Sequence, residues 1–418
     1  MTKSILYVAY HFPPIQVSSG VHRTVAFARS LVVAGWGVSV LTVCEAAYPQ
    51  RSESGRRLVP EGVRVLRAFA RETTRYLSFR GRYFDWMAAP DKWHSWVISG
   101  LWVGLREIRR NRPAVIVSTY PVASAHVIAY LLHRVTGIPW VADFRDPMLQ
   151  DDYPPTRAQR KAFAWVERKA VRHGCRVLFT SPGALALYRD RYPEVPAGRW
   201  VLVANGFDEA LFEMSAVGTG GSHEQGGRRT LLHSGTVYPQ ERDPRALFQA
   251  LAELQAEDPA LASRWRVLLR ATGHDHLLAP LLQKWGIQDL VELAPGIDYV
   301  AALEEMLGAD ALLLLQAANC NFQTPAKAYE YIRARRPVLA LTDPGGDTAA
   351  LVLQAGVGEV AALDDPATIK SALRRFLSRV EAQDFVFAPV EELMCWSRQY
   401  QARAFVQMLD DVVAERAA

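Results

Sequence analysis

The chain has 418 residues, half of them hydrophobic and 22% charged, the make-up of a globular protein too long for one hydrophobic core. Its net charge of +5 suits anionic ligands or an anionic surface and is too small to mark a nucleic-acid binder. Cys44, Cys175, Cys320 and Cys395 stand apart with no paired spacing, which argues against a zinc motif or a disulfide scaffold and fits a reducing compartment.

Ser4–Ala9 reads as a first strand buried on both faces, and the apolar run Ile5–Tyr10 is too short for a secretory leader and is interrupted by His11-Phe12-Pro13-Pro14. No apolar run is long enough to span a bilayer, so the expectation is a cytoplasmic protein. A Pro, Ser and Gly-rich loop, His11–Gly20, leads to a helix from Val21 to Ala34 and a strand at Val38–Val43. This βαβ unit puts the loop at the carboxyl end of the first strand, where such sheets bind ligands. It has no Gly-x-Gly-x-x-Gly, which disfavours a dinucleotide site. Ser18-Ser19-Gly20 at the helix start can cradle phosphate through backbone N–H groups, or Gly20 can be a plain turn glycine.

A strand at Val63–Arg67 precedes an aromatic segment, Tyr76–Trp102, in which Tyr83-Phe84-Asp85-Trp86 and Asp91-Lys92-Trp93-His94-Ser95-Trp96 interleave rings and charges. Packing of a helix onto the sheet is one reading of it. Peripheral contact with the inner face of a membrane is the other. Strands at Ala114–Ser118 and Pro139–Ala142 bracket a helix at Ala123–Val135, and the second strand ends in Asp143-Phe144-Arg145-Asp146. Two carboxylates and an arginine at a sheet's ligand edge are either substrate-facing groups or an Arg–Asp clamp that holds the loop. His126 is read as structural. Further strands follow at Arg176–Thr180 and Trp200–Val203, the latter running into Asn205-Gly206-Phe207-Asp208.

Residues 211–229, low in complexity from Ser215 on, read as a linker between a first domain, 1–210, and a second, 230–394. The second βα series has strands at Thr230–His233, Arg266–Arg270, Leu290–Leu293, Ala311–Leu315, Val338–Leu341 and near Val357–Ala361. Thr324 is expected to cap a helix that Pro325 opens and Pro337 ends. Lys327 and Glu330 share one face of it. A lysine in the first turn opposes the helix dipole unless an anion docks there. The alternative is a surface Lys–Glu ion pair. A last helix, about Trp396–Arg416, follows the second sheet, and the segment 395–418 is assigned to the first domain. The fold class expected is α/β, with two Rossmann-like doubly wound parallel sheets and the site at their carboxyl edges.

His11-Phe12-Pro13-Pro14 with Ser19-Gly20, Asp143-Phe144-Arg145-Asp146, Asn205-Gly206-Phe207-Asp208, Ser234-Gly235-Thr236, and Pro325-Ala326-Lys327-Ala328-Tyr329-Glu330-Tyr331 with Arg336-Pro337-Val338 occur in an order that resembles glycosyltransferase family 4. The resemblance spans nearly the whole length. It implies the GT-B fold, two domains facing across a cleft, a C-terminal helix returning to the first domain, and a nucleoside-diphosphate sugar as donor. It implies transfer to a hydroxyl of a glycan, lipid-linked or small-molecule acceptor with retention, in polysaccharide or glycoconjugate biosynthesis.

By the same resemblance Gly20 meets the donor diphosphate, and Arg242 grips it beside Gly235 and Thr236, where the family's Gly-Arg pair has lost its arginine. Glu330 holds the ribose. Phe322 stands where the family has another glutamate, with Gln323 as a substitute contact to the donor sugar, and Lys327 is the replacement cation. Asp143, Asp146 and Arg145 are the candidates for orienting the acceptor and taking its proton. No Asp-x-Asp metal motif is present, so neither metal nor cofactor is expected. The competing readings are a nucleotide-sugar epimerase of the same fold and a non-catalytic nucleotide-sugar-binding protein.

Overall fold

The computed structural model describes residues 3–15, 19–76, 88–151, 153–216 and 227–417. The chain divides into two compact units, Met1–Ala204 with Arg398–Ala418, and Asn205–Ser397.

The first unit holds a seven-stranded parallel sheet: β1 (Ser4–Ala9), β2 (Gly37–Val43), β3 (Val63–Ala68), β4 (Val115–Thr119), β5 (Trp140–Arg145), β6 (Arg176–Phe179) and β7 (Trp200–Leu202). Its order is β3-β2-β1-β4-β5-β6-β7, so the direction of winding reverses between β1 and β4. Side chains alternate across a strand, and here both faces are covered, which is why the strands read as unbroken apolar runs. Leu6 and Val8 of β1 join one core layer with the helix Ala123–Thr136. Ile5, Tyr7 and Ala9 join the other with the helix Ser19–Val33 and the last helix, Arg398–Ala417. Phe405 of that last helix stacks on Phe27 at 4.3 Å, and Gln401 Oε1 accepts a bond from Ala204 N.

Within the aromatic segment Trp93 and Trp96 are buried, and the Trp93 ring lies 5.1 Å from that of Tyr10, so these two serve packing. Asp91 has a separate role: its carboxylate accepts from Ser124 N and Oγ and caps the Ala123–Thr136 helix. Trp102 stays 63% exposed, and Tyr83–Trp86 lie outside the described residues.

The second unit holds β8 (Arg229–Ser234), β9 (Trp265–Arg270), β10 (Val291–Ala294), β11 (Ala311–Leu315), β12 (Val338–Leu341) and β13 (Gly358–Ala361), all parallel. The order is β10-β9-β8-β11-β12-β13, with the reversal between β8 and β11. One core layer is built on Leu231, Val267, Leu269, Leu313 and Leu339 with Phe248, Leu373 and Phe376 from the helices that cover them.

Two expected boundaries move. The division falls after Ala204, and Glu209–Ala216, part of which reads as linker in sequence, is a helix of the second unit. An ion pair from Glu209 to Arg333, with the Arg333 guanidinium 5.2 Å above the Phe212 ring, fixes it there. Residues 217–226 of the expected linker lie outside the described residues. The last helix starts at Arg398, after a one-turn Met394–Trp396 segment.

Candidate active site

In the second unit the loops that leave β8 and β11 flank the reversal point, the place where open α/β sheets bind ligands. β8 ends in Ser234, and Gly235 follows with φ 122, a conformation that needs glycine. A Cβ there would sit 2.7 Å from Lys327 Nζ, so the missing side chain lets the lysine reach the strand end. Lys327 Nζ donates to Ser234 O at 2.7 Å. Tyr331 Oη accepts from Ser234 N at 3.1 Å, fixing the same residue from the other side. Arg242 returns along its own loop, donating to Thr236 O at 2.6 Å, with its guanidinium 5.2 Å above the Tyr238 ring.

Lys327 comes from the helix Ala326–Ala334. Thr324 is not its cap. The cap position is Pro325, whose side chain offers no acceptor and makes no cap bond. Burial pulls the Lys327 ammonium down to about 7, Arg242 pushes it the same way, and Glu330 opposes them. Glu330 is buried and its Oε1 accepts from Tyr299 Oη at 2.5 Å. Lys327 and Glu330 thus turn to different partners on different elements instead of forming a solvent-facing surface pair.

His233 donates from Nδ1 to Leu313 O, and its buried Nε2 has no partner among the described residues. Burial holds this imidazole neutral, well below its ordinary pKa. Gln323 lies on the β11 side, where its carbonyl accepts from Gln316 Nε2. Phe322 is 37% exposed. The arrangement offers two cations, a backbone stripped of a side chain and a carboxylate, the pattern that suits a phosphorylated ligand carrying hydroxyls.

The first unit brings Gly20, Asp143, Arg145 and Asp146 to its own sheet edge. Strand β5 continues through Asp143-Phe144-Arg145 instead of ending before them, and its register with β6 shifts between Asp143 and Arg145. The shift puts Arg145 in the left-handed region at φ 61, and Thr180 ties it down by donating from N and Oγ1 to Arg145 O. Asp143 is fully buried and accepts from Arg23 Nε and Nη2 and from Thr119 Oγ1. Arg23 also donates to Val203 O and Ala204 O. Asp143 is therefore a clamp, with Arg23 rather than Arg145 as its partner, and both its oxygens are engaged. That geometry removes it from the candidates for a base.

Burial raises the Asp146 carboxyl above its ordinary range, while Arg145 and Arg23 draw it back. His126 Nδ1 shares a hydrogen bond with Ser118 Oγ, which also accepts from Trp140 Nε1, in the core, as befits a structural histidine. Arg23, Thr119, Tyr299 and His233 carry no motif. Their partners lie far away in sequence, 120 residues for Arg23 and Asp143.

The model of the glycosyl transferase 4-like domain matches residues 19–206, the stretch that holds Gly20, Arg23, Asp143, Arg145 and Asp146. Over those residues the chain is similar to the glycosyl transferase 4-like domain. No curated protein matches it significantly by sequence. Solved structures share the fold of this chain over almost its whole length. Sucrose-phosphate synthase from Thermosynechococcus elongatus is 15% identical with a TM-score of 0.65, covering 99% of this chain and 97% of the other. The α,α-trehalose 6-phosphate synthase from Burkholderia multivorans is 12% identical, TM-score 0.68, with coverage of 100% and 98%. Anabaena HepE, solved with UDP, is 12% identical, TM-score 0.60, with coverage of 99% and 98%. At these identities the likeness shows the fold, which is GT-B: two parallel-sheet α/β units in series.

Proposed function

We propose that this family 4-like chain moves a sugar from a nucleoside-diphosphate sugar to the hydroxyl of a glycan, lipid-linked or small-molecule acceptor, with retention and without a metal, in polysaccharide or glycoconjugate biosynthesis. The observation that carries the reading is that Gly235 and Lys327 meet at the carboxyl end of β8, with Arg242 close enough to shift the lysine and Glu330 on the same helix as Lys327. Arg242, Lys327 and the open start of the Ala326–Ala334 helix supply the positive field for a diphosphate. Glu330, now occupied by Tyr299, supplies a carboxylate suited to the vicinal hydroxyls of a ribose. The likeness in fold to HepE, whose structure contains UDP, supports the same choice of donor.

The chemistry asks for a leaving group stabilised as its bond breaks. Preorganised cations do this at no reorganisation cost during the reaction, the dominant effect in many enzymes. Positive charge then develops on the sugar, and the acceptor hydroxyl attacks the face the diphosphate leaves. Asp146 takes the acceptor proton in this reading, since Asp143 is held by Arg23 and Thr119.

Calorimetric titration with UDP and with inorganic pyrophosphate tests the donor assignment. Glu330→Ala is expected to lose most of the preference for UDP over pyrophosphate and to keep the pyrophosphate affinity. Equal weakening of both ligands, or no binding of either to the wild type, defeats the assignment. Turnover of a nucleotide-sugar and acceptor panel in EDTA, with the product anomer read by NMR, tests metal independence and retention.

A further inference from the structure

The helices Trp96–Arg110, Ala123–Thr136 and Arg157–His173 lie side by side over one face of the first sheet. They hold ten of the chain's 48 Lys and Arg and two of its 43 Asp and Glu, so the rest of the chain carries more acid than base. Both acids are buried. Glu107 accepts from Ser39 and Asn111, and Glu167 accepts from Tyr188, Tyr192 and Arg191. The outward side of these helices thus carries basic groups and no exposed carboxylate. Helix dipoles explain part of that charge, because Arg109, Arg110, Arg134 and Arg172 stand in last turns, where cations are favoured. Arg157 is different. It is exposed in the first turn of its helix, where the dipole opposes a cation, and Lys161 follows one turn later.

Apolar groups share this surface. Along the first helix Ile98, Trp102, Arg106 and Arg109 recur at helical spacing on the outer side. Ile98 is 81% exposed, and the Arg106 guanidinium stands 5.6 Å over the Trp102 ring. Along the third helix the outer side reads Arg157, Lys161, Trp165, Arg168 and Arg172, with Trp165 40% exposed. The Trp165 ring meets Tyr130 of the middle helix edge-on at 5.9 Å, and Lys169 Nζ lies 5.6 Å from one ring and 5.9 Å from the other. One exposed ring is ordinary for a soluble protein. An isoleucine and two tryptophans set among arginines and lysines match the chemistry of a bilayer interface, with rings at headgroup depth and cations on lipid phosphates. A soluble polyanion would engage the charges and leave the apolar groups in water.

We propose that the outer face of these three helices docks the first unit on an anionic lipid bilayer. The basic last turns lie toward the amino ends of the parallel strands, opposite the edge that carries Arg145 and Asp146, so the docking face does not include that edge. The docking face does not rest on the glycosyltransferase reading. Taken with that reading, it favours a lipid-linked acceptor over the other two acceptor classes.

The full chain is floated with vesicles of phosphatidylcholine mixed with phosphatidylglycerol, and with vesicles of phosphatidylcholine alone. Binding is expected to the mixed vesicles and not to the neutral ones. The triple variant Arg106→Ala, Lys161→Ala, Arg168→Ala should weaken it about hundredfold, at about fivefold for each cation removed. Arg29→Ala, Arg403→Ala, Arg416→Ala removes the same charge from exposed residues of the helices Ser19–Val33 and Arg398–Ala417, which cover the other face, and should bind as wild type does. Brominated acyl chains should quench part of the wild-type tryptophan fluorescence, and Trp102→Ala and Trp165→Ala should each lower that quenching. All these side chains are exposed, so unchanged thermal unfolding separates lost docking from lost folding.

Wild type that does not float with the mixed vesicles overturns the proposal. Equal losses in the two triple variants reduce the effect to net charge and overturn the assignment to this face. Binding to polyglutamate as tight as to the mixed vesicles, with no quenching by brominated lipid, assigns the face to a soluble acidic partner and overturns the bilayer. The donor reading is judged separately, since flotation needs no nucleotide: wild type that floats but binds no UDP keeps the docking face and loses the glycosyltransferase.

Discussion

Lys327 gives the sharpest test of the second-unit site. Its ammonium is held near pKa 7 by burial and by Arg242, against an ordinary 10.5. A diphosphate bound beside it favours the charged form, so binding should draw a proton to Lys327 and tighten as pH falls. With a free-state value of about 7, the lysine is about 90% charged at pH 6 and about 10% charged at pH 8. If only the charged form grips the ligand, the dissociation constant rises about tenfold between those values, or about 1.4 kcal/mol. A nucleotide sugar is the right ligand for this measurement, because its diester-like diphosphate has no proton titrating near neutrality. Calorimetry in two buffers of different ionisation enthalpy should show close to one proton taken up per ligand at pH 8 and almost none at pH 6. Lys327→Met should weaken binding and flatten the profile. A wild-type constant unchanged from pH 6 to 8, with no proton uptake, refutes the geometry that buries this amine. The same shift has a consequence for the empty protein. Between about pH 7 and 10.5 the unfolded chain holds a proton that the folded one does not, so this group's contribution to stability rises with pH in that window.

Arg23→Ala leaves the Asp143 carboxylate buried without its counter-ion and should lower stability by about 3–5 kcal/mol in urea unfolding followed by fluorescence; a change under about 1 kcal/mol speaks against the clamp. Gly235→Ala forces an L side chain into φ 122 and toward the Lys327 amine, and is expected to cost about 1–3 kcal/mol in thermal unfolding together with nucleotide affinity, whereas unchanged affinity argues that the lysine does not need the strand end. Asp146→Asn should lower kcat about 10²–10⁴-fold with donor affinity within twofold, and retained turnover assigns proton removal elsewhere.

The sequence by itself determined the architecture. Strands buried on both faces must be apolar throughout, so Ser4–Ala9, Ala311–Leu315 and Val338–Leu341 announce their limits without help, and their alternation with amphipathic helices dictates parallel sheets. Glycine at a sheet's ligand edge and a lysine placed against a helix dipole were legible for the same reason: each is locally unfavourable unless a ligand or a close approach requires it. Only the tertiary structure decided who partners whom. Asp143 and Arg145 are two residues apart and of opposite charge, yet the register shift in β5 sends the carboxylate to Arg23 and the guanidinium to Gly20. Lys327 and Glu330 share a helix face, yet one finds Ser234 O and the other Tyr299. Ion pairs and hydrogen bonds act over a few ångströms, and which groups come that close is set by chain crossings a hundred residues apart, for which local sequence carries no signal. Thr324 marks the same limit at short range. Its residue type suits a helix cap, but Pro325 takes the cap position and the helix starts at Ala326.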